Sequence, residues 1–269
     1  MRDGRGIGTK RSGETIVIDR GGWTEEIERF HASSPGATGE VLKAAFYRGQ
    51  TPYEWLADGV NSGDVVVDLG CGDGPIAPLI SGQWIGVDRS VVELEAAAAA
   101  KSGSLVQGLF ENLPIRRISV DTVLCSMSLM LAVDLDAAVT EILRVLRPGG
   151  SLRLLLPSAK PLTNRDRLRY WRLQRSLGIA AFFPPSPLLN IPEVLLRQFG
   201  FGIVSNQCSR FNYEVETEHH ARLLIRSLYL PEVDAAHYER AVNLARRWRG
   251  SALGIPLRRI VATSPPGSQ

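Results

Sequence analysis

The chain has 269 residues, of which 44% are apolar and 22% charged, with 26 glycines and 16 prolines. That balance excludes a disordered, collagenous or coiled-coil chain and leaves room for one large α/β domain or two small ones. A formal charge of +3 is too small to demand a polyanionic partner, and no apolar run reaches the roughly 18 residues that a membrane-spanning helix needs. Three cysteines, Cys71, Cys125 and Cys208, build neither a disulfide framework nor a four-ligand zinc site. The charged start lacks the apolar segment of a secretory leader, so a cytoplasmic location without membrane contact is expected.

Residues 1–22 read as a flexible tail, with one short extended piece at Thr15 to Ile18. From Trp23 to Val60 the apolar spacing is helical through Ile27, Phe30, Val41, Leu42, Ala45 and Phe46, with Trp55 and Leu56 in a further helix after Pro52. At Gly63-Asp64 the pattern changes. Val65-Val66-Val67 opens an unbroken β-branched run, which suits a central strand covered on both faces. Strands are then predicted near 65–69, 84–88, 105–107, 121–126 and 151–156, with helices near 75–80, 90–101 and 136–146 between them. Alternation at this spacing means right-handed βαβ units and an open, doubly wound sheet. Beyond Pro157 the rhythm breaks into a helical insertion over 158–200, with a turn at Pro184 to Pro187 and a short helix at Ile191 to Phe199. A strand at 203–208, extending through 211–215, two helices at 217–229 and 233–249, and a last strand at 257–262 complete the chain before a frayed tail at 264–269. The fold class is α/β, with a mostly parallel seven-stranded sheet, helices on both faces and an N-terminal helical cap. Residues 23–263 form a single domain, with 60–157 as its ligand-binding core and 23–59 and 158–250 as cap and substrate elements.

The informative segment is Asp68-Leu69-Gly70-Cys71-Gly72-Asp73-Gly74-Pro75 at the end of the first buried strand. Glycines there let the chain turn tightly and let a ligand approach without meeting a Cβ. A dinucleotide would set its pyrophosphate over this loop, where Asp68 and Asp73 repel it, and the spacing is GxGxG instead of GxGxxG. No lysine follows, as a phosphate-binding loop requires. Asp88 ends the next strand in Gly86-Val87-Asp88-Arg89-Ser90, where a carboxylate accepts both hydroxyls of a ribose. The ligand implied is a nucleoside with a cationic far end, and S-adenosylmethionine fits.

The loop, Gly86-Val87-Asp88, Gln107-Gly108 with Glu111-Asn112-Leu113-Pro114, the strand Asp121 to Ser126, and Leu143 through Gly150 follow one another in the order and spacing of a known family. Over roughly residues 60–157 the sequence resembles the class I S-adenosylmethionine-dependent methyltransferases. The resemblance implies that Gly70 and Gly72, with Cys71 and Gly74, lie against the methionine moiety, that Asp68 helps to hold its ammonium, and that Asp88, beside Arg89, binds the ribose. Cys125, Ser126 and Met127 would line the cofactor near its methyl group. Many members carry an aspartate after the Gln-Gly pair to accept from the adenine amino group. Here Leu109 and Phe110 follow, and adenine would be held by apolar contact, with a lost partner for a buried amino group costing about 1 to 3 kcal/mol.

Other candidates have plainer alternatives. Asp73 suits any turn, and Cys71 and Cys125 read as small apolar fillers. His219 and His220 open a helix in a region from which such enzymes draw substrate contacts, and one of them is the candidate general base, although adjacent histidines at a helix start are more often exposed. His31 and His237 have weaker claims. Arg165 to Arg175 interleaves arginine with Tyr170 and Trp171, as a nucleic-acid contact does, but an amphipathic helix with solvated guanidinium heads accounts for it as well. Tyr47, Tyr53 and Trp171 are candidate substrate contacts. The function expected is methyl transfer to a small organic acceptor, such as a secondary metabolite. Methylation of ribosomal or transfer RNA through residues 165–175 is one alternative. A cyclase or ligand-binding protein of the same fold that does not methylate is another.

Overall fold

The computed structural model describes residues 27, 29–31, 33–100, 103–179, 182–183, 185–230 and 233–267. The expected tail at 1–22 and the start of the cap at 23–26 lie outside them. Among the described residues, eight strands form one sheet in the order β1-β7-β8-β6-β5-β2-β3-β4. The parallel half is β2 (Val65–Leu69), β3 (Gln83–Asp88), β4 (Ser104–Gln107), β5 (Val120–Ser126) and β6 (Leu146–Pro157), each parallel to its neighbours within this half. Its central strand β2 is buried from Val66 to Leu69, as an unbroken apolar run between two helical layers must be. Beyond β6 the sheet turns antiparallel: β8 (Ser251–Thr263) pairs with both β6 and β7 (Gly202–Val215).

The expected count of seven strands is one short, because Ala45–Phe46 pairs antiparallel with Asn212 and Tyr213 as β1 on the outer edge of β7. The helical spacing through Phe46 therefore misleads. The α1 helix (Ala37–Lys43) ends before it, and Phe46 faces solvent. The helix expected at 75–80 is a single 3-10 turn at Ala77–Leu79, with a proline at its start. Pro75 and Pro78 remove two amide donors from that short stretch, so no α-helical ladder can propagate. The expected frayed tail is tied down as far as it is described: the Ser264 amide donates to Gly150 and its hydroxyl to the Arg147 carbonyl.

The helices carry the signals that start and stop them. Thr51 caps α2 (Pro52–Ala57), and Thr163 caps α5 (Asn164–Leu177), each through a reciprocal capping box with the acid three residues on. Gly178, at φ 71°, ends α5 in the left-handed conformation. The remaining helices are α3 (Val91–Ala100), α4 (Leu135–Val145), α6 (Pro187–Asn190), α7 (Pro192–Gln198), α8 (Glu218–Arg226) and α9 (Ala235–Arg246). A continuous apolar core runs from Ala37 to Ala262 across both halves of the sheet. On α5, Asp166 turns inward to pair with Arg210, Nε to Oδ2 at 2.7 Å, and takes the Gly254 amide at 2.9 Å. That arrangement fastens the insertion to β7 and β8. Among the described residues no helix is long and apolar enough to cross a membrane.

Candidate active site

At the carboxyl edge of the parallel strands lies a cavity of about 420 Å3. The loop after β2 forms its floor. Gly70, Gly72 and Gly74 all have positive φ, at 69°, 53° and 75°, which L residues resist. A Cβ on Gly70 would stand 2.4 Å from the Ser128 Cβ and 3.3 Å from the Phe110 ring, so glycine is the residue that lets three segments meet there. The loop is stitched to β3. The Gly70 and Cys71 amides both donate to the Val87 carbonyl, at 2.8 and 3.2 Å, and the Gly72 amide donates to Oδ2 of Asp88 at 2.9 Å.

Two carboxylates face this cavity from neighbouring strand ends. Asp88 accepts Gly72 on one oxygen and Ser90 on the other, both at 2.9 Å. A carboxylate has about four acceptor sites, so lone pairs remain for a diol. Asp68 is 1% exposed, and among the described residues neither of its oxygens has a donor in bonding geometry. Burial drives its pKa up to about 7; the Trp84 indole N–H offsets part of the rise and the charge of Asp88 adds to it. A buried carboxylate without a full partner is the group a bound cation would complete.

Three segments from elsewhere close the cavity. On β5, Ser126 and Met127 reach it where the chain turns away, with Met127 at φ 57°. Glu111 accepts the Val133 and Asp134 amides at 2.9 and 3.1 Å and so joins the loop after β4 to the start of α4. From the N-terminal side, Nδ1 of His31 lies 2.9 Å from Oε1 of Glu93 on α3, and Lys43 donates to Asp73 at 2.8 Å. Phe30 packs on Tyr229 with ring centroids 4.5 Å apart.

The structure gathers Asp68, Gly70, Cys71, Gly72, Asp88, Arg89, Leu109, Phe110, Ser126, Met127 and Tyr53 around this cavity. Other expected residues fall elsewhere. Gly74 is turned to α3 and β3, where a Cβ would touch Ala97 at 3.4 Å and Trp84 at 3.8 Å. Cys125 is fully buried under the wall. Tyr47 packs edge-on against Phe211 and Trp171 stands exposed beneath Arg175, both away from the cavity. His219 and His220 start α8 outside it, with His220 accepting the Glu216 amide, so neither serves as a base at this site. Burial, and then the charge of Asp68, raises the pKa of both Cys71 and Cys125 far above the ordinary thiol range, which keeps them unreactive fillers. Phe30, His31, Glu93, Ser128 and Tyr229 line the cavity without a strong sequence signal. Glu93 reads as an ordinary exposed acid in a helix's first turn, and only the folded chain buries it.

The geometry agrees with what known proteins show. Residues 67–154 match the family model described as a methyltransferase domain, and that range holds the loop, both carboxylates and the strand end at Ser126. Over that stretch the chain resembles the class I S-adenosylmethionine-dependent methyltransferases. Among curated proteins it is 36% identical over 104 residues to a malonyl-acyl-carrier-protein O-methyltransferase of Methylovorus sp., covering 32% of this chain and 34% of that one. It is 31% identical over 134 residues to a ubiquinone/menaquinone biosynthesis C-methyltransferase of Xylella fastidiosa, covering 45% and 53%. The chain thus spans about a third to a half of these relatives. Among solved folds, the 4+2 cyclase SpnF superposes with a TM-score of 0.60 at 18% identity, over 95% of this chain and all of that one. A possible histamine N-methyltransferase of Thermotoga maritima does so at 0.51 and 15%, over 90% and 96%.

A methyltransferase domain over residues 67–154 implies S-adenosylmethionine as its cofactor, and the cavity fits it. Asp68 supplies a buried carboxylate without a full partner for the ammonium, Asp88 keeps free lone pairs for the ribose hydroxyls, and Gly70 leaves no side chain between loop and ligand. Leu109, 51% exposed at the rim, and Phe110 offer apolar contact for the base.

Proposed function

We propose that this protein transfers the methyl group of S-adenosylmethionine to a small organic acceptor, such as a secondary metabolite, by in-line displacement at the sulfonium carbon. The observation that carries this reading is a single cavity lined both by Asp68, Asp88 and the glycine loop and by the apolar and aromatic Phe30, Leu42, Leu131, Ala132 and Tyr229. Displacement of this kind asks chiefly for alignment and an enclosed site. The nucleophile attacks the methyl carbon as the carbon–sulfur bond breaks, and the sulfonium becomes a neutral thioether. The curated relatives methylate a malonyl group on a carrier protein and act in quinone biosynthesis, which supports a metabolic acceptor here.

RNA methylation through residues 165–175 has the exposed Arg165, Arg167, Arg172 and Arg175 in its favour, but no described residue of α5 lines the cavity. Use of the fold without methyl transfer has one observation behind it, the apolar Leu109 at the adenine side. Incubation with methyl-tritiated S-adenosylmethionine and a cell extract separates the three readings. Label in the solvent-extractable low-mass fraction is expected, label in acid-precipitable RNA favours the second, and binding of cofactor without transfer to either favours the third.

A further inference from the structure

The methionine arm of the cofactor carries an α-carboxylate as well as an ammonium, and the carboxylate has to find donors in a cavity whose wall is acidic. Asp68, Asp73, Asp88, Glu93, Glu111 and Asp134 all line it. A glycine loop usually receives an anion on its amides, but here four of those amides are committed. Gly70 and Cys71 donate to Val87, Gly72 to Asp88 and Gly74 to the Cys71 carbonyl. Among the described residues, the side chains on the wall able to carry positive charge are His31 and Arg89. Lys43, behind the wall, holds Asp73. Arg89 follows Asp88 at the end of β3, and its carbonyl receives the Gln107 amide group at the end of β4.

His31 belongs to the glycine side. Its partner Glu93 lies 3.8 Å from the position a Cβ on Gly72 would occupy. Glu93 is 2% exposed, accepts the Gly36 amide as well, and fixes Nδ1 of the imidazole at 2.9 Å. The ring is further held edge-on by Phe30 and Tyr229, at 5.3 and 6.1 Å between centroids. An imidazole so clamped has one nitrogen committed to an anion and the other left for a ligand.

We propose that His31 receives the α-carboxylate of the cofactor's methionine arm, with Glu93 as the residue that positions it. In the complex Nδ1 stays on Glu93 and Nε2 faces the ligand carboxylate, so the ring bridges the two groups. The inference rests on the cavity being the S-adenosylmethionine site. Titration calorimetry of the full chain tests it with two ligands, S-adenosylhomocysteine and methylthioadenosine, the second of which keeps nucleoside and thioether but lacks the amino-acid arm. His31→Ala is expected to weaken S-adenosylhomocysteine binding by about 10- to 100-fold and to leave methylthioadenosine within about twofold, while His31→Gln, which keeps a donor, recovers part of the loss. Glu93→Gln is expected to show the same selectivity with a smaller loss. Equal weakening of both ligands, or of neither, overturns the assignment. Failure of the unmodified protein to bind either ligand overturns the cofactor site itself.

Discussion

The amide of Gly72 donates to Oδ2 of Asp88 at 2.9 Å and joins the loop after one parallel strand to the end of the next. One carboxylate thereby serves two ends. It fixes the loop conformation and keeps lone pairs for a ribose. Replacing Asp88 with alanine removes both services, so binding of S-adenosylmethionine and S-adenosylhomocysteine is expected to fall by about 100-fold or more, given hydrogen bonds to a charged group of about 1.5 to 3 kcal/mol each. Titration calorimetry reads this directly, and an affinity within a few fold of the unmodified protein would remove Asp88 from the site.

Asp68 sets stability against function. Its folded pKa, raised by burial to about 7, lies above that of an unfolded aspartate, so the ionised form opposes folding. The sign follows: in the ligand-free protein the contribution of Asp68 is most favourable where it is protonated in both states, and that contribution is lost as pH rises from about 4 to about 7, by up to about 4 kcal/mol at 1.36 kcal/mol per pK unit. Asp68→Asn should therefore unfold at higher urea than the unmodified protein at pH 8, match it near pH 4, and bind the cofactor at least tenfold more weakly. Equal urea midpoints at pH 8 would contradict the burial argument.

Leu109 offers a gain of affinity. At 51% exposure on the cavity rim, it can be exchanged for aspartate without burying a charge. Leu109→Asp is expected to tighten S-adenosylhomocysteine binding by about 3- to 10-fold through an added acceptor for the adenine amino group, at about 0.5 to 1.5 kcal/mol per hydrogen bond. Unchanged affinity would place the adenine elsewhere.

The pair of Asp166 and Arg210 fastens α5 to the antiparallel half of the sheet and lies outside the cavity. Hydrogen bonds from Arg210, Thr163 and Gly254 outweigh burial and hold the Asp166 pKa well below the usual carboxylate range. Its contribution is therefore present above the ordinary aspartate pKa and is lost only as pH falls through the depressed value. Arg210→Met leaves that carboxylate buried without its main partner and is expected to cost about 3 to 5 kcal/mol in urea unfolding. Cofactor affinity of the folded fraction should stay within about twofold. A loss of affinity greater than that would tie the insertion to the site.

Much of the cofactor half was legible in the residues themselves. Val65 to Leu69 announces a buried strand because its apolar run is unbroken, and Asp68 to Gly74 announces a ligand loop because glycines and acids meet at a strand end. Those signals are local, and backbone sterics and charge act within a few residues of their source. The short turn at Ala77–Leu79 was legible too, had the prolines been weighed above the helical spacing.

What only the tertiary structure decided lies between segments far apart in the chain. Ala45–Phe46 is a strand because the edge of β7 offers it partners, and no local pattern carries that offer. Tyr47, Trp171, His219 and His220 are chemically suitable and sit in the wrong place, whereas His31 and Glu93, 62 residues apart, face one another across the loop. Residue type fixes what a side chain can do. Burial and proximity, which come from packing of the whole chain, decide whether it meets the ligand at all.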